Sequence, residues 1–443
     1  MSIYQISEFD RIKPFVQGQV TIKANETYIP ENAFNNLWDF ILEKQSDGDS
    51  SDKAFSLYTS HGKRIIQAKN YVGVIETKSK DVIEILPKIY RVENNKKVKS
   101  IFLRMLRVLK DMNNISFNDA DLLANEDFPI LEIFINNYIV DVERLLLNDL
   151  KKGYKTIDSN QNFLKGKLLV KENLKYNFVD KSKFYVRFNH FDIDIPLNRV
   201  VKSTLLKLFK LTRLSRNRKT ISRMLELLGT VPVSNNFSAD LQMLNKSNRL
   251  LSNYSKVVEW SEVFLLDKGF TNFSGNNINQ AMLFPMEKVF ESFIAYQFKR
   301  YANKYPISTQ HSELNLVEKF NDKPKFRLKP DIFISNPKEN KYIVIDAKWK
   351  IVNKNSIGKT IQQSDMYQLY AYGRKYLKGY GHTTLYLIYP ANLNFTEALP
   401  PFYYEKNGDH WLKLYAIPFD LNGSYEEQIK EIIKSLDEEE PTN

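Results

Sequence analysis

The sequence predicts a multidomain α+β protein: a β-rich N-terminal domain, a helical middle region and a C-terminal α/β domain. Three observations carry this. The chain has 443 residues, and at about 150 residues per domain about three domains are expected. From Val98 the hydrophobic period changes from two to about 3.6. From about Asn279 the reading becomes helix, strand, strand, helix, strand, the order of an α/β or α+β unit. The expected domains are therefore 1–95, 96–275 and 276–443.

Within the first segment, the run 15–22 alternates like a strand and 30–42 has helical spacing. Residues 44–53 form a polar loop. Strands are expected at 55–59, 64–68, 71–76 and 82–86. Pro87 ends the last of them, because proline cannot donate to a ladder. Gly73 reads as a bulge or a close-packing glycine.

In the middle segment, Ile101, Met105, Leu106 and Leu109 form one helical stripe. Leu131, Ile135, Tyr138, Val142 and Leu145 form a second, ending near Gly153. Residues 163–193 look extended and basic. A further helix starts at Pro196, a favoured first-turn residue, with Leu197, Val201, Leu205 and Leu208 on one face. It continues into Arg213, Arg216, Arg218, Lys219 and Arg223. That basic stretch is either a phosphate-contacting surface or simply a solvated face, and the absence of a base-reading motif favours the second. The last segment opens with a helix over 282–302. Two strands, a helix over 361–377, a strand over 384–389 and a hairpin turning at Asn407-Gly408 follow. Glu438, Glu439 and Glu440 read as a solvated tail.

Composition excludes several classes. With no cysteine there is no disulfide scaffold, thiolate metal site or thiol catalysis. The five histidines form no close pair in sequence, which argues against a histidine metal centre. No apolar run approaches the ~20 residues of a membrane helix. Residues 1–11 carry acids and no apolar stretch, unlike a signal peptide. A soluble cytoplasmic protein is the expectation. The net charge of +12 allows a polyanionic partner, nucleic acid being the commonest, although a chain rich in Lys and Asn can be basic without binding anything. No nucleotide-binding P-loop or Gly-x-Gly-x-x-Gly motif is present.

One constellation carries chemistry. Leu328-Lys329-Pro330-Asp331-Ile332-Phe333-Ile334 and Tyr342-Ile343-Val344-Ile345-Asp346-Ala347-Lys348-Trp349 flank the turn cluster 336–340, so a hairpin is expected. The midpoint between Asp331 and Asp346 falls inside that turn. Antiparallel pairing about it sets the two acids opposite each other, with Cβ atoms ~5 Å apart. Lys348, two residues on, shares their face, and Ile332, Ile334, Ile345 and Ala347 anchor the other. Two carboxylates that close favour a cation between them. Hard oxygen ligands suit Mg²⁺ or Mn²⁺, with the Ala347 carbonyl as a further donor. A lysine beside them offsets phosphate charge or holds an attacking water, which points to metal-assisted phosphodiester hydrolysis. Glu287 and Glu291, four apart on one helical face, offer a third acid. Gln368 and Tyr372 have the same spacing. The mundane alternatives are an exposed Asp346–Lys348 pair worth ~0–1 kcal/mol, and a packed aromatic face for Tyr367, Tyr370, Tyr372 and Tyr376.

Pro330-Asp331 with Asp346-Ala347-Lys348 resembles the PD-(D/E)xK nuclease signature, and Gln368-x-x-x-Tyr372 resembles the extra motif of its RecB-like branch. More of the chain resembles the McrC family, the nuclease subunit of McrBC modification-dependent restriction systems. The matching segments are Ile83-Glu84-Ile85-Leu86-Pro87-Lys88-Ile89, Leu164-Lys165-Gly166-Lys167, Pro196-Leu197-Asn198-Arg199, Met286-Glu287-Lys288-Val289-Phe290-Glu291 and Asp365-Met366-Tyr367-Gln368. The resemblance implies a restriction-endonuclease-like C-terminal domain. Asp331 and Asp346 would be its metal ligands, Lys348 the catalytic lysine, Glu291 the helical acid and Gln368 an accessory group. It also implies a McrB-like AAA+ GTPase hexamer as partner, engaged and stimulated through the N-terminal part, with Lys88 a candidate contact. The implied substrate is double-stranded DNA containing methylated cytosine. Two other functions stay open from the residues: a non-catalytic DNA-binding adaptor that activates a ring NTPase, and a stand-alone repair nuclease.

Overall fold

The computed structural model describes residues 2–15, 25–46, 54–89, 92, 94–109, 129–147, 150–246, 254–266, 278–338, 341–377, 382–407 and 410–434. The chain forms two compact units, one of Met1–Asp127 with Gly269–Asn443 and one of Phe128–Lys268. These cut across the three consecutive segments read from the sequence, since the first and last segments share a unit.

The N-terminal lobe of the first unit holds two four-stranded sheets. One runs Ile3–Ser7, Val82–Leu86, Tyr71–Thr77, Ile278–Pro285, and the other Glu26–Ile29, Arg11–Pro14, Lys63–Ala68, Phe55–Ser60. The Glu31–Ser46 helix lays Phe34, Leu37, Phe40 and Ile41 into a core with Ile12, Ile66, Ile75, Ile83 and Leu283. The four expected strands from 55 to 86 are all present, and the last ends at Leu86, just before Pro87. Most of the 15–22 run lies outside the described residues, as do Gly408 and the acidic tail.

The expected helix over 282–302 is corrected at its start. Residues 278–285 are a strand, and the helix is Met286–Tyr301. Met282, Leu283 and Phe284 pair with Val74, Gly73 and Val72. Gly73 explains the pairing, because at φ 146° it adopts a conformation closed to most side chains, and a Cβ there would overlap the Met282 carbonyl oxygen. Gly73 is thus the close-packing glycine rather than a bulge.

The C-terminal lobe is built on a six-stranded mixed sheet. Its order is Ile307–Thr309, Ile332–Asn336, Lys341–Ala347, His382–Pro390, His410–Phe419, Phe402–Asn407. Val344, Leu385, Leu387 and Leu414 pack with Leu369, Tyr372 and Tyr376 of the Gln363–Tyr376 helix. A separate hairpin, Asn315–Phe320 with Lys323–Arg327, is absent from the sequence reading. Its strands are largely exposed and charged, so no hydrophobic alternation announces them. Asn321 and Asp322 make its turn at φ 48° and 60°, a conformation those residues tolerate.

The second unit contains the helices Ile130–Leu147, Val170–Tyr176, Pro196–Leu211, Ser215–Leu227, Phe237–Lys246 and Ser255–Leu265. It also holds the three-stranded sheet Gly153–Gln161, Phe184–Asp192, Lys167–Leu168. The extended reading of 163–193 is corrected by the helix Val170–Tyr176. The single helix expected from Pro196 through Arg223 is two, broken at Thr212–Leu214. The buried Glu132 carboxylate accepts from the Thr212 hydroxyl (2.7 Å), the Arg213 N–H (2.5 Å) and the Asn217 amide (3.0 Å), which satisfies the break internally. Much of the basic stretch is structural: Lys207 donates to the Phe264 carbonyl, Arg218 stacks on Phe209 and Arg223 pairs with Glu143. No helix among the described residues is long and apolar enough to cross a membrane.

Candidate active site

The hairpin register is the foundation of the site. Ile332 pairs with Ile345, Phe333 with Val344 and Ile334 with Ile343. Continuing that ladder one step places Asp331 opposite Asp346. Both acids are buried, at 6% and 1% exposure, and Ile332, Ile334, Ile345 and Ala347 are buried on the alternate face. An exposed surface ion pair is therefore not what this hairpin carries.

Each side chain has defined partners. The Ala347 N–H donates to Asp331 Oδ2 at 2.9 Å. Gln310, a residue the sequence reading missed, donates its backbone N–H to the Asp331 carbonyl (2.9 Å) and its side-chain amide to Asp331 Oδ1 (3.3 Å). Lys348 Nζ lies 2.5 Å from Asp346 Oδ2. That contact is a close charge-assisted pair, which holds the ammonium against a buried carboxylate oxygen.

Glu291 and Glu287 separate clearly. Glu287 is exposed and accepts from Asn70 at 3.1 Å. Glu291 is half-buried and feels the charges of Lys348 and Asp346. Gln368 donates to the Tyr372 hydroxyl at 2.7 Å, and Tyr372 is buried within the field of Asp346 and Asp331. Gln368 is thus linked to the acids indirectly, through Tyr372. The expected aromatic face is corrected: Tyr372 and Tyr376 are buried, whereas Tyr367 is 64% and Tyr370 37% exposed. A second pair missed in the sequence, Lys350 with buried Asp365 (2.8 Å), lies close enough for Asp365 to act on Asp346.

The electrostatics follow from burial. Desolvation raises Asp331 well above its ordinary value, and the neighbouring Asp346 and Glu291 push it further. Asp346 is also raised by burial, against the pull of Lys348. Glu291 is pushed up to about 7, again chiefly by burial. For Lys348 burial acts downward, but Asp346, Asp331 and Glu291 outweigh it and raise the ammonium. Lys348 is therefore held as a cation and is not a proton acceptor here. Three carboxyl groups that resist ionisation together around one ammonium are a place where added positive charge is favoured.

The donor set fits a hard divalent ion with open positions. Among the described residues, no three His, Cys, Asp or Glu side chains converge as a ready-made cage. Mg²⁺, however, is commonly bound through one or two carboxylates, with waters and substrate phosphates completing the shell. Two buried carboxyl groups, Asp331 and Asp346, whose burial resists ionisation are the donor set such an ion would satisfy. A cleft of about 460 Å³ borders the site, lined by Glu291, Gln310 and the exposed Lys288, Lys299 and Lys329.

Comparison with known proteins agrees with this fold. Across 98% of this chain and 100% of the other, the structure is similar to a chain of the refined half-complex from a tetradecameric assembly of Thermococcus gammatolerans McrB AAA+ hexamers with bound McrC (TM-score 0.71, 16% identity). It is also similar, over 69% of this chain and 89% of the other, to a chain of the cryo-EM structure of the Thermococcus gammatolerans McrBC complex (TM-score 0.52, 17% identity). At these identities the likeness is one of fold. No curated protein matches the chain significantly. Residues 66–390 match the family model described as McrBC 5-methylcytosine restriction system component. That span is most of the chain and contains both aspartates, the lysine and the helical acid, and so the chain belongs to the McrBC restriction-component family.

Proposed function

We propose that this chain is the DNA-cutting subunit of a McrBC-like restriction complex, hydrolysing phosphodiester bonds with Mg²⁺ or Mn²⁺ held by Asp331 and Asp346. The observation that carries the reading is the convergence of those two buried acids with Lys348 at one end of the hairpin. When bound, the ion would supply Lewis-acid stabilisation of the phosphate and lower the pKa of a bound water. The side chains do the rest. Ala347 and Gln310 fix the Asp331 carboxylate, and the Ala347 carbonyl is a further candidate ligand. Lys348, kept charged by the acids, offsets negative charge building on the phosphate. Glu291, half-buried within the field of Lys348 and Asp346, is the third acid placed to exchange a proton with attacking water. Gln368 and Tyr372 steady the wall beside Asp346. The flanking lysines of the cleft suit a DNA backbone, the double-stranded substrate here proposed to carry methylated cytosine.

The partner in this reading is a McrB-like AAA+ GTPase hexamer, whose GTP hydrolysis the chain stimulates. The absence of a P-loop in the sequence and the fold likeness to a chain from an assembly of McrB AAA+ hexamers with bound McrC support that assignment. A plasmid-cleavage assay with the cognate AAA+ protein tests it. Methylated plasmid should be cut with GTP and Mg²⁺ and left intact with EDTA. Strong stimulation of GTP hydrolysis without any nicking in Mg²⁺ or Mn²⁺ would instead identify a non-catalytic adaptor, and cutting without partner or nucleotide a stand-alone nuclease.

A further inference from the structure

The lysine of the site stands one residue beyond its strand, which ends at Ala347. The Lys348 N–H still donates to the Ile388 carbonyl (2.8 Å), but the chain then turns, with the Lys350 N–H on the Lys348 carbonyl (3.0 Å). The ladder alone does not fix this segment, and a separate anchor is present. Trp349 is buried, and its indole N–H donates to Glu8 Oε2 at 2.8 Å. Its ring meets Phe290 edge-on, with centroids 5.4 Å apart. Trp349 follows Lys348 and Phe290 precedes Glu291, so the indole next to one site residue packs against the neighbour of another.

Glu8 belongs to the N-terminal lobe, in the turn after Ile3–Ser7. It is completely buried, and its second oxygen accepts the Lys88 N–H at 3.0 Å. The turn itself is tightly set, since the Ser7 N–H donates to Asp10 Oδ2 (2.9 Å) and Phe9 adopts φ 66°. The same lobe also holds the start of the helix carrying Glu291. The Asn70 carbonyl accepts the Met286 N–H (2.9 Å), and the Asn70 amide donates to Glu287. A buried carboxyl is costly unless it is hydrogen-bonded, and both oxygens of this one accept, one of them from the segment that carries the site lysine.

We propose that Glu8 is a positioning residue of the cutting centre: through the Trp349 indole it sets where Lys348 and Glu291 stand, so that the N-terminal lobe completes a site seated in the C-terminal sheet. The proposal rests on the nuclease reading above. It names a residue distant in sequence from the motif and gives the N-terminal lobe a part in cleavage.

The test is a double-mutant cycle in the full chain, using Glu8→Ala, Trp349→Phe and the pair. Trp349→Phe keeps a ring against Phe290 and removes the N–H donor together with part of the buried ring. Plasmid cleavage with the AAA+ partner and Mn²⁺ affinity by electron paramagnetic resonance are both measured, with melting temperatures confirming that each variant is folded. Each single variant should cut about tenfold more slowly, as loss of support behind a site residue does, while Mn²⁺ affinity stays near that of the parent, because the residues displaced are Lys348 and Glu291 and not the ligands Asp331 and Asp346. The pair should be no worse than the worse single, because both remove one interaction. If Glu8→Ala is unfolded at the assay temperature, Glu8→Leu, which fills the space without an acceptor oxygen, gives the same comparison with Trp349→Phe. Folded variants that match a cutting parent, or single defects that multiply in the pair, overturn this inference alone. A parent that neither cuts nor binds Mn²⁺ overturns the nuclease reading and this inference with it.

Discussion

At Glu291 the conflict between burial and charge can be measured directly. Burial raises its carboxyl from 4.5 to about 7, so between those values the folded protein holds a proton that the unfolded chain has released. The resulting contribution to stability is full below the unfolded value and is lost as pH rises through about 7. Glu8, raised to about 8 mainly by burial, acts with the same sign. In EDTA, the melting temperature should therefore fall as pH is raised from about 5 to about 8, and Glu291→Gln should flatten that dependence. A melting temperature that climbs over this range, or a variant with the parental slope, would contradict the assignment. Asp331, Asp346 and Lys348 were legible in the sequence because a symmetric hairpin fixes register by arithmetic. Gln310, Lys350 and Glu8 were not, because their partners lie 21, 15 and 341 residues away and no local period links them.

Among the elements, legibility followed the hydrophobic pattern. The four strands from Phe55 to Leu86 and the helix Ile130–Leu147 lie where apolar residues cluster in the sequence, although the helix ends at Leu147 rather than near Gly153, where a strand begins. Where another interaction outranks local propensity, the reading slipped. Met282-Leu283-Phe284 look helical together with the stripe that follows, but Gly73 lets the neighbouring backbone come close enough to pair with them as a strand. Thr212 and Arg213 continue a helical pattern until the distant Glu132 takes their hydrogen bonds. Gly73→Ala should force that strand pair apart and destabilise the first unit by about 1–3 kcal/mol, the usual cost of overpacking. The urea midpoint of the full chain reads this out. A variant as stable as the parent would mean that Gly73 is not what permits the pairing.

For the molecule as a whole, the unit that carries the site is assembled from both ends of the chain. Its last N-lobe strand, Ile278–Pro285, runs directly into the helix bearing Glu291, so the partner-facing role proposed for the first lobe and the cutting role proposed for the second share a continuous piece of backbone. The change of hydrophobic period along the sequence separates these roles into consecutive domains, because it cannot register that a late strand completes an early sheet. The account as a whole stands on Asp331 and Asp346 sharing one divalent ion. Equilibrium Mn²⁺ binding to the full chain, followed by electron paramagnetic resonance without DNA or partner, tests that claim most directly. The prediction is a binding site in the parent that is lost in both Asp331→Ala and Asp346→Ala while each variant remains folded. Mn²⁺ binding that survives both substitutions unchanged would contradict it.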